Sequence, residues 1–190
     1  MENLSYNERL ENPRYELING EEFMQAQPAI SHLQIAMNLS RIISSYLRGK
    51  RCKVYTKPDV YFDETNHYIP DLVIVCDQGK IKATRIEGSP DLVIEVLSPS
   101  TGKRDMGVKK DVYEKFGVRE YWVVSPKEKS IYVYLLKDGK FTLDDCYTVL
   151  EDYEEEILND KERAEHRLTL KVSLYDDLEI DVKEIFEDVN

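Results

Sequence analysis

The sequence predicts a single α/β domain built around a mixed β-sheet. Two helical patterns, at residues 29–47 and 103–116, are separated and followed by strand-like segments. This mixture of helices and strands is typical of an α/β fold. The length of 190 residues, with 42% hydrophobic residues, allows one sizeable core, so a single domain spanning residues 1–190 is the default expectation.

The first predicted elements are a hairpin and a long helix. Residues 15–23 carry Asn-Gly between two short strand-like flanks, which is the signature of a type I′ turn. In residues 29–47, Ser31 and Gln34 form a capping box, and the apolar residues recur at helical spacing. The apolar stripe consists of Ala36, Leu39, Ile43, Tyr46 and Leu47. His32 lies at the head of this stripe.

Strand patterns dominate the rest of the chain. They occupy residues 54–63, 69–77, 90–97 and 119–126, and a hairpin at residues 130–143 turned by Asp138-Gly139. The helix at residues 103–116 is ended by Gly117. We expect residues 1–14 to form an N-terminal arm, residues 151–167 a charged excursion, and residues 168–190 a final strand and short helix.

The acidity of the chain is concentrated near its C-terminus. Residues 151–190 contain 15 Asp and Glu against 5 Lys and Arg, a balance of −10, whereas the first 150 residues contain 22 against 21. Two stretches, residues 48–57 and 102–115, hold five basic residues each. They are either phosphate-facing patches or ordinary solvated surface, and the second explanation is the commoner one for a charge run.

Several classes of protein find no support in the sequence. No apolar run approaches the roughly 20 residues of a membrane span, and the start lacks the pattern of a signal peptide, so a cytoplasmic location is predicted. Cys52, Cys76 and Cys146 are odd in number and unclustered, which predicts reduced, mostly buried thiols. No glycine-rich phosphate loop, nucleophile elbow or His-Glu-x-x-His motif is present.

Glu95 interrupts the apolar strand pattern at residues 90–97. Side chains alternate along a strand, so Glu95 shares one face with Asp91, Val93 and Leu97. A buried carboxylate is costly unless a cation compensates it, which here means an Arg or Lys side chain or a metal ion. The strand by itself leaves a structural salt bridge and a functional site equally open.

Asp71 begins the similar strand at residues 69–77. If the two strands are neighbours in the sheet, Asp71 and Glu95 form a carboxylate pair. Such pairs bind hard divalent cations, and Mg²⁺ typically takes one or two carboxylates and leaves positions for water and phosphate. The alternative is that Asp71 is an ordinary turn residue after Pro70.

Lys109 falls within the apolar side of the second helix, which Met106, Val112, Tyr113 and Phe116 form at helical spacing. An ammonium group on an inner face needs an acidic partner. One alternative is a surface pair of Asp105 with Lys109, worth only ~0.3–0.5 kcal/mol. The functional alternative has Lys109 reach toward Glu95 and the water that it helps to activate.

These motifs together resemble a known family. They are YELINGE at residues 15–21, PDLVIV at 70–75, GSPDLVIEVLSPST at 88–101, the row of Asp105, Lys109 and Tyr113 at i, i+4 and i+8, and GVREYWVVSP at 117–126 with a following VYLL strand. The combination resembles the Uma-type restriction endonuclease family of the PD-(D/E)XK nuclease superfamily. The resemblance covers residues 15–186, and the block at 88–126 is long and specific. The charged residues 150–167 fit it least.

The resemblance implies a restriction-endonuclease-like core, a mixed sheet flanked by helices, with a metal-dependent site that cleaves phosphodiester bonds. By motif, Asp71 and Glu95 hold Mg²⁺ or Mn²⁺. The usual third element of the PD-(D/E)XK motif, a lysine two residues after that Glu, is replaced here by Leu97, and the match to the family's D-x-x-x-K row suggests that Lys109 supplies the amine from the helix instead. His32 is expected to line the site opposite the strands, or else to be structural. Asp91 is either a third acidic group or a turn residue.

The resulting hypothesis is a metal-dependent endonuclease. Asp71 and Glu95 bind the cation, and Lys109 orients or deprotonates the attacking water. DNA is the expected substrate and a homodimer the expected assembly, both by resemblance. The alternative is a catalytically inactive nuclease fold used for nucleic-acid or protein binding, in which Glu95 and Lys109 form a buried ion pair. The change to Leu97 and the acidic C-terminal part favour this alternative.

Overall fold

The computed structural model describes residues 14–99 and 102–189. The predicted N-terminal arm therefore lies almost wholly outside the described residues. The described strands are β1 (Tyr15–Ile18), β2 (Glu21–Met24), β3 (Lys53–Thr56), β4 (Val60–Asp63), β5 (Asn66–Tyr68), β6 (Leu72–Val75), β7 (Ile86–Glu87), β8 (Leu92–Val96), β9 (Glu120–Ser125), β10 (Ser130–Lys137), β11 (Lys140–Thr148), β12 (Thr169–Lys171) and β13 (Glu179–Asp181).

The helical segments lie between these strands and at the C-terminal end. They are α1 (Ile30–Leu47), a 3₁₀ turn (Gln78–Lys80), α2 (Gly102–Arg104), a π-helical turn (Asp105–Lys109), α3 (Lys110–Lys115), α4 (Asp152–Ile157), α5 (Asp160–Glu165) and α6 (Val182–Ile185). No helix among the described residues is long and apolar enough to cross a membrane.

A six-stranded sheet forms the centre of the fold, with the order β11-β10-β9-β8-β6-β3. Strands β8 and β9 run parallel, and the other neighbours in this sheet are antiparallel. The prediction of an α/β domain with a mixed sheet is therefore confirmed. A second sheet has the order β2-β1-β5-β4-β7, and β12 pairs with β13.

Both faces of the central sheet are covered, which is why β6, β8 and β9 are buried along their whole length. On one face, Leu72, Ile94 and Trp122 pack with residues of α1 and of the C-terminal β12, β13 and α6. On the other face, Val93 and its neighbours pack with α3 and the second sheet. The alternation of side chains places Glu95 on this second face.

The N-terminal hairpin is confirmed as predicted. Asn19 and Gly20 both have positive φ values, 51° and 84°, which a type I′ turn requires. The pairing of Leu17 in β1 with His67 in β5 joins the hairpin to the other strands of the second sheet. The hairpin thereby lies beside the chain that enters β6.

The predicted capping box at Ser31 is wrong. Helix α1 begins at Ile30 after Ala29, which provides no side-chain cap, so Ser31 already lies within the first helical turn. The buried face consists of His32, Ile35, Asn38, Leu39, Ile43 and Leu47. It shares Leu39, Ile43 and Leu47 with the predicted stripe, whereas Ala36 and Tyr46 lie at its margin and are half-buried.

The second predicted helix is interrupted. A π-helical turn separates α2 from α3, and Gly107 within it has a non-helical conformation (φ −114°, ψ −107°). Such turns are frequent at functional sites because they redirect side chains within a helix. Asp105 and Lys109, at the two ends of this turn, are both buried.

Two of the cysteines form a disulfide, contrary to the prediction. Cys52 and Cys76 are joined, with their Cα atoms 3.9 Å apart. They flank β3 and β6, whose register pairs Lys53 with Val75 and so brings the two cysteines opposite each other. Cys146 is a free thiol, but it is exposed rather than buried. The spacing of the cysteines in the sequence does not reveal this disulfide, because only strand pairing brings Cys52 and Cys76 together.

Glu120 is a second carboxylate buried in the central sheet. It has no cationic partner among the described residues, and it accepts hydrogen bonds from the Trp122 indole N–H (2.6 Å) and the Ser173 backbone N–H (2.9 Å). Burial raises the pKa of Glu120, although these hydrogen bonds act to lower it. The interaction ties β9 to the C-terminal segment.

We expect Glu120 to make the fold less stable as pH rises. Because its pKa lies above the ordinary 4.5, the folded state keeps a proton that the unfolded state has released. The stability that this retained proton contributes to the folded state is fully present below pH 4.5 and is lost as pH rises through the folded-state pKa. In urea unfolding from about pH 4 to 8, the free energy of unfolding should fall more steeply for the wild type than for Glu120→Gln. Parallel curves would contradict this expectation.

Candidate active site

Asp71 and Glu95 meet at the junction of β6 and β8. These strands are antiparallel neighbours with Leu72 opposite Ile94, so the same register places Asp71 opposite Glu95. The backbone N–H of Val96 donates to Oδ2 of Asp71 at 2.8 Å. Both carboxylates line one cavity of about 40 Å³, which exceeds the ~10–15 Å³ that one water molecule needs and is called the site cavity below.

Asp71 is buried and is held by several donors. The Nε2 atom of His32 lies 2.8 Å from Oδ1, and the ammonium group of Lys57 lies 3.5 Å from the same oxygen. Burial acts to raise the pKa of Asp71, but His32, the Val96 amide and Lys57 outweigh it and keep that pKa below its ordinary value. Asp71 is therefore ionised at neutral pH.

Glu95 is held by two donors that share one of its oxygens. Its Oε1 atom lies 3.0 Å from Nζ of Lys109 and accepts a hydrogen bond from the Tyr113 hydroxyl at 2.7 Å. Burial raises the pKa of Glu95 to about 8, Lys109 opposes the rise, and the neighbouring carboxylates of Asp105, Asp71 and Glu16 add to it. Further positive charge in the site cavity would stabilise the ionised form of Glu95.

Lys109 is surrounded by three carboxylates. Its Nζ atom lies 2.9 Å from Glu16, 3.0 Å from Glu95 and 3.3 Å from Asp105, and its side chain is only 4% exposed. Burial acts to lower the pKa of Lys109, but these carboxylates more than reverse the effect and hold it well above the ordinary value. The alternative of a surface pair with Asp105 is thus wrong, whereas the expected reach toward Glu95 is observed.

Comparisons with known proteins identify the family of this chain. Residues 4–173 match the model of the Uma2 family, described as "Putative restriction endonuclease". The chain belongs to the Uma2 family. A relative from Synechocystis sp. (strain PCC 6803), "Uncharacterized protein slr1290", is 29% identical over 140 residues, which is 72% of this chain and 73% of the relative.

A solved structure shares the fold of this Uma2 protein. It is a crystal structure titled as a putative nuclease belonging to DUF820 from Anabaena variabilis, with a TM-score of 0.70 and 18% identity. The similarity covers 97% of this chain and 98% of that one. The expectation of a restriction-endonuclease-like core, a mixed sheet flanked by helices, is thereby confirmed.

The structure places the other predicted residues of this Uma2 chain in different locations. His32 lies in the site cavity, and its Nδ1 atom is buried without a hydrogen-bond partner among the described residues. Asp91 does not line the cavity. Its carboxylate accepts the backbone N–H of Cys76 at 2.8 Å and lies 3.6 Å from Arg119. Asp91 therefore serves the strand junction rather than the site.

The two basic stretches contribute unequally to the site cavity. Lys57 and Arg104 line it. In contrast, Lys50 lies over the ring of Tyr46 at 4.0 Å, near the C-terminal end of α1, and Arg51 donates to the backbone carbonyl of Cys76. The first stretch is thus divided between the site and the far end of α1.

Glu16 and Lys57 are site residues that the sequence did not predict. Glu16, in β1, binds Lys109 and also accepts the backbone N–H of Ile69 at 3.0 Å, which connects the N-terminal hairpin to the entrance of β6. Its one sequence signal is that it shares a strand face with buried Ile18. Lys57 has a left-handed backbone (φ 47°), and its N–H donates to the carbonyl of Asp71. No sequence pattern pointed to its role beside Asp71.

The donor set fits a hard divalent cation that keeps several water ligands. Among the described residues, no group of three or more His, Cys, Asp and Glu side chains forms a ready-made metal site. Four buried carboxylates, Glu16, Asp71, Glu95 and Asp105, line the site cavity together with one buried ammonium, that of Lys109. Mg²⁺ commonly binds through only one or two carboxylates plus water and phosphate oxygens. Asp71 and Glu95 provide that number of ligands where negative charge is in excess.

Proposed function

We propose that this protein is a metal-dependent endonuclease that hydrolyses phosphodiester bonds of DNA. Family membership and the shared fold support a nuclease. The observation that carries the proposal is that one cavity contains Asp71, Glu95 and the buried ammonium of Lys109. This combination of two carboxylates and an amine suits charge stabilisation at a phosphate.

Asp71 and Glu95 would hold Mg²⁺ or Mn²⁺ in this proposal. The bound cation supplies Lewis acidity toward the phosphate and lowers the pKa of the attacking water. Asp71 is prepared for its role because His32 and the Val96 amide fix its carboxylate in the ionised form. His32 is accordingly a positioning residue for Asp71.

Lys109 would act as a hydrogen-bond donor. Its three carboxylate neighbours keep it protonated and take up its three N–H groups, so a water molecule or phosphate oxygen would have to displace the longest contact, that with Asp105 at 3.3 Å, to accept a hydrogen bond from Lys109. The same charge disfavours the alternative in which Lys109 deprotonates the water. Burial keeps the Tyr113 hydroxyl protonated by raising its pKa, so this group keeps donating to Glu95 and fixes its rotamer.

A second candidate function is a nuclease fold that binds without cleaving. The buried ion pair of Glu95 and Lys109 is what this alternative predicts, and Leu97 stands where the PD-(D/E)XK motif has its usual lysine. A homodimer is proposed on the resemblance, and light scattering of the purified protein tests it. The cytoplasmic location also stays a prediction.

The proposal is tested by plasmid cleavage with Mg²⁺ or Mn²⁺. We expect the wild type to cut the plasmid and EDTA to stop the reaction. Asp71→Asn should lower the cleavage rate by at least ~100-fold, because replacing even a residue that only hydrogen-bonds a metal ligand typically costs ~10- to 100-fold in metal affinity or activity. Asp91→Asn is a matched control, since Asp91 also follows a proline at the start of a strand but lies outside the cavity. Equal rates for the two variants would contradict the assignment of Asp71.

A further inference from the structure

A groove adjoins the site cavity at the carboxyl ends of β8 and β9. Because these strands are parallel, the loops that follow them leave the same edge of the sheet. Together with the start of α1 they enclose a space of about 560 Å³, lined among others by Ser31, Lys127 and Lys129. His32 and Ser98 line both this space and the site cavity. We call it the lysine groove.

The lysine groove has the opposite charge to the site cavity. The described residues that line it include Lys127 and Lys129 but no Asp or Glu, although the chain as a whole has a net charge of −11. Lys127 is exposed and forms no ion pair with another described residue. The first turn of α1, which has no side-chain cap, borders the same space and adds its positive dipole end. This chemistry suits an anion larger than a single ion.

A carboxylate already occupies part of this anion-binding surface. The Nζ atom of Lys129 lies 2.7 Å from Oε1 of Glu151, and the backbone N–H of Val149 donates to the carbonyl of Lys129. Glu151 begins the acidic arm, residues 151–167, whose helices α4 and α5 bury no residue. No buried residue of α4 or α5 requires the pair with Lys129, although Glu151 also forms the capping box of α4 with Glu154, so another anion can compete with Glu151 for Lys129.

We propose that the lysine groove binds the phosphates of the DNA strand that runs past the site cavity, and that Glu151 occupies one phosphate position in the free protein. This inference rests on the proposed nuclease function, because the groove's ligand is the substrate of that site. Lys127 and Lys129 would bind backbone phosphates without reading sequence. The acidic arm would lower affinity by competing for Lys129.

The test measures DNA binding separately from cleavage. Fluorescence anisotropy of a labelled duplex in EDTA gives the dissociation constant at several salt concentrations. We expect Lys127→Gln/Lys129→Gln to weaken binding at least ~10-fold and to reduce the slope of log K against log salt by roughly 2, about 1 per lysine. We expect Glu151→Gln to tighten binding by about 2- to 5-fold, since it removes an exposed ion pair that competes with DNA.

Matched controls distinguish an effect of the lysine groove on DNA binding from an effect of the net charge of the protein. Lys137→Gln/Lys171→Gln removes two exposed lysines outside the groove, each paired with an acid as Lys129 is, and Glu179→Gln removes an acid paired with Lys171 at 3.0 Å. Circular dichroism of Glu151→Gln checks that α4, which Glu151 caps, is retained, so that tighter binding can be assigned to the lost carboxylate. Groove variants that bind like these controls, while cleavage still depends on Asp71, would overturn this inference alone. A wild type that neither binds nor cuts DNA would overturn the proposed function and this inference together.

Discussion

Glu95→Gln is expected to lower the cleavage rate by roughly 10²–10³-fold, the usual cost of removing one preorganised electrostatic group from an active site. The amide removes the charge that would hold the cation. It still offers an oxygen to the Lys109 ammonium and the Tyr113 hydroxyl. Lys109 also keeps Glu16 and Asp105 as partners, so we expect the free energy of unfolding to change by no more than about 1 kcal/mol.

Thermal unfolding of the same variant distinguishes the nuclease from the inactive binding module. A cation bound to the folded state raises its stability by about 2.7 kcal/mol at 100 times the dissociation constant. Mg²⁺ or Mn²⁺ should therefore raise the melting temperature of the wild type but not that of Glu95→Gln. No cleavage and no metal effect in the wild type would favour the inactive module. An equal metal effect in both proteins would place the cation elsewhere.

Lys109→Met is expected to be the most destabilising single change in the site. Removing the ammonium leaves Glu16, Glu95 and Asp105 buried without their common cation. Breaking a buried pair by deleting one partner typically costs about 3–5 kcal/mol, because a charge stays buried and uncompensated. Urea unfolding at neutral pH measures this loss, and cleavage should fall with it because the oriented donor is gone.

Lys110→Met is the control for that experiment. Lys110 is the next residue in the chain, is half-buried, and lies over the Tyr134 ring at 4.0 Å, a contact worth about 0.5–1 kcal/mol. The two variants thus remove the same group from neighbouring positions with different partners. A loss in Lys109→Met no larger than that in Lys110→Met would show that the three carboxylates do not depend on Lys109.

Glu95→Gln and Lys109→Met are expected to change the free energy of unfolding by very different amounts, because charge is distributed unequally in the site. Three buried carboxylates share one ammonium, so losing one carboxylate leaves Lys109 paired, whereas losing Lys109 leaves all three uncompensated. The alternative hypothesis from the sequence considered Glu95 and Lys109 as one buried ion pair. The structure adds Glu16 and Asp105 as further partners of Lys109.

The strands that carry Asp71 and Glu95 could be predicted because their apolar runs and turn residues are local signals. The inward positions of Glu95 and Lys109 could also be inferred, since strand and helix periodicity determines which side chains share a face. The interruption of the second helix by a π-helical turn could not be inferred, because nothing at Gly107 distinguishes a kink from an ordinary helical glycine. The prediction of a capping box at Ser31 was wrong because the helix begins at Ile30, so Ser31 lies inside the first turn rather than at the N-cap.

The sequence by itself determined the kinds of elements, the inward placement of one carboxylate and one lysine, and the family that their spacing resembles. Only the tertiary structure decided which residues join them. Glu16 comes from the hairpin, Lys57 from the chain after β3, and Cys76 meets Cys52 across two strands. The physical reason is that periodicity acts over a few residues, whereas ion pairs and disulfides depend on strand order and register. Strand register places the acidic site cavity and the lysine groove at one edge of the sheet and the disulfide at the opposite edge.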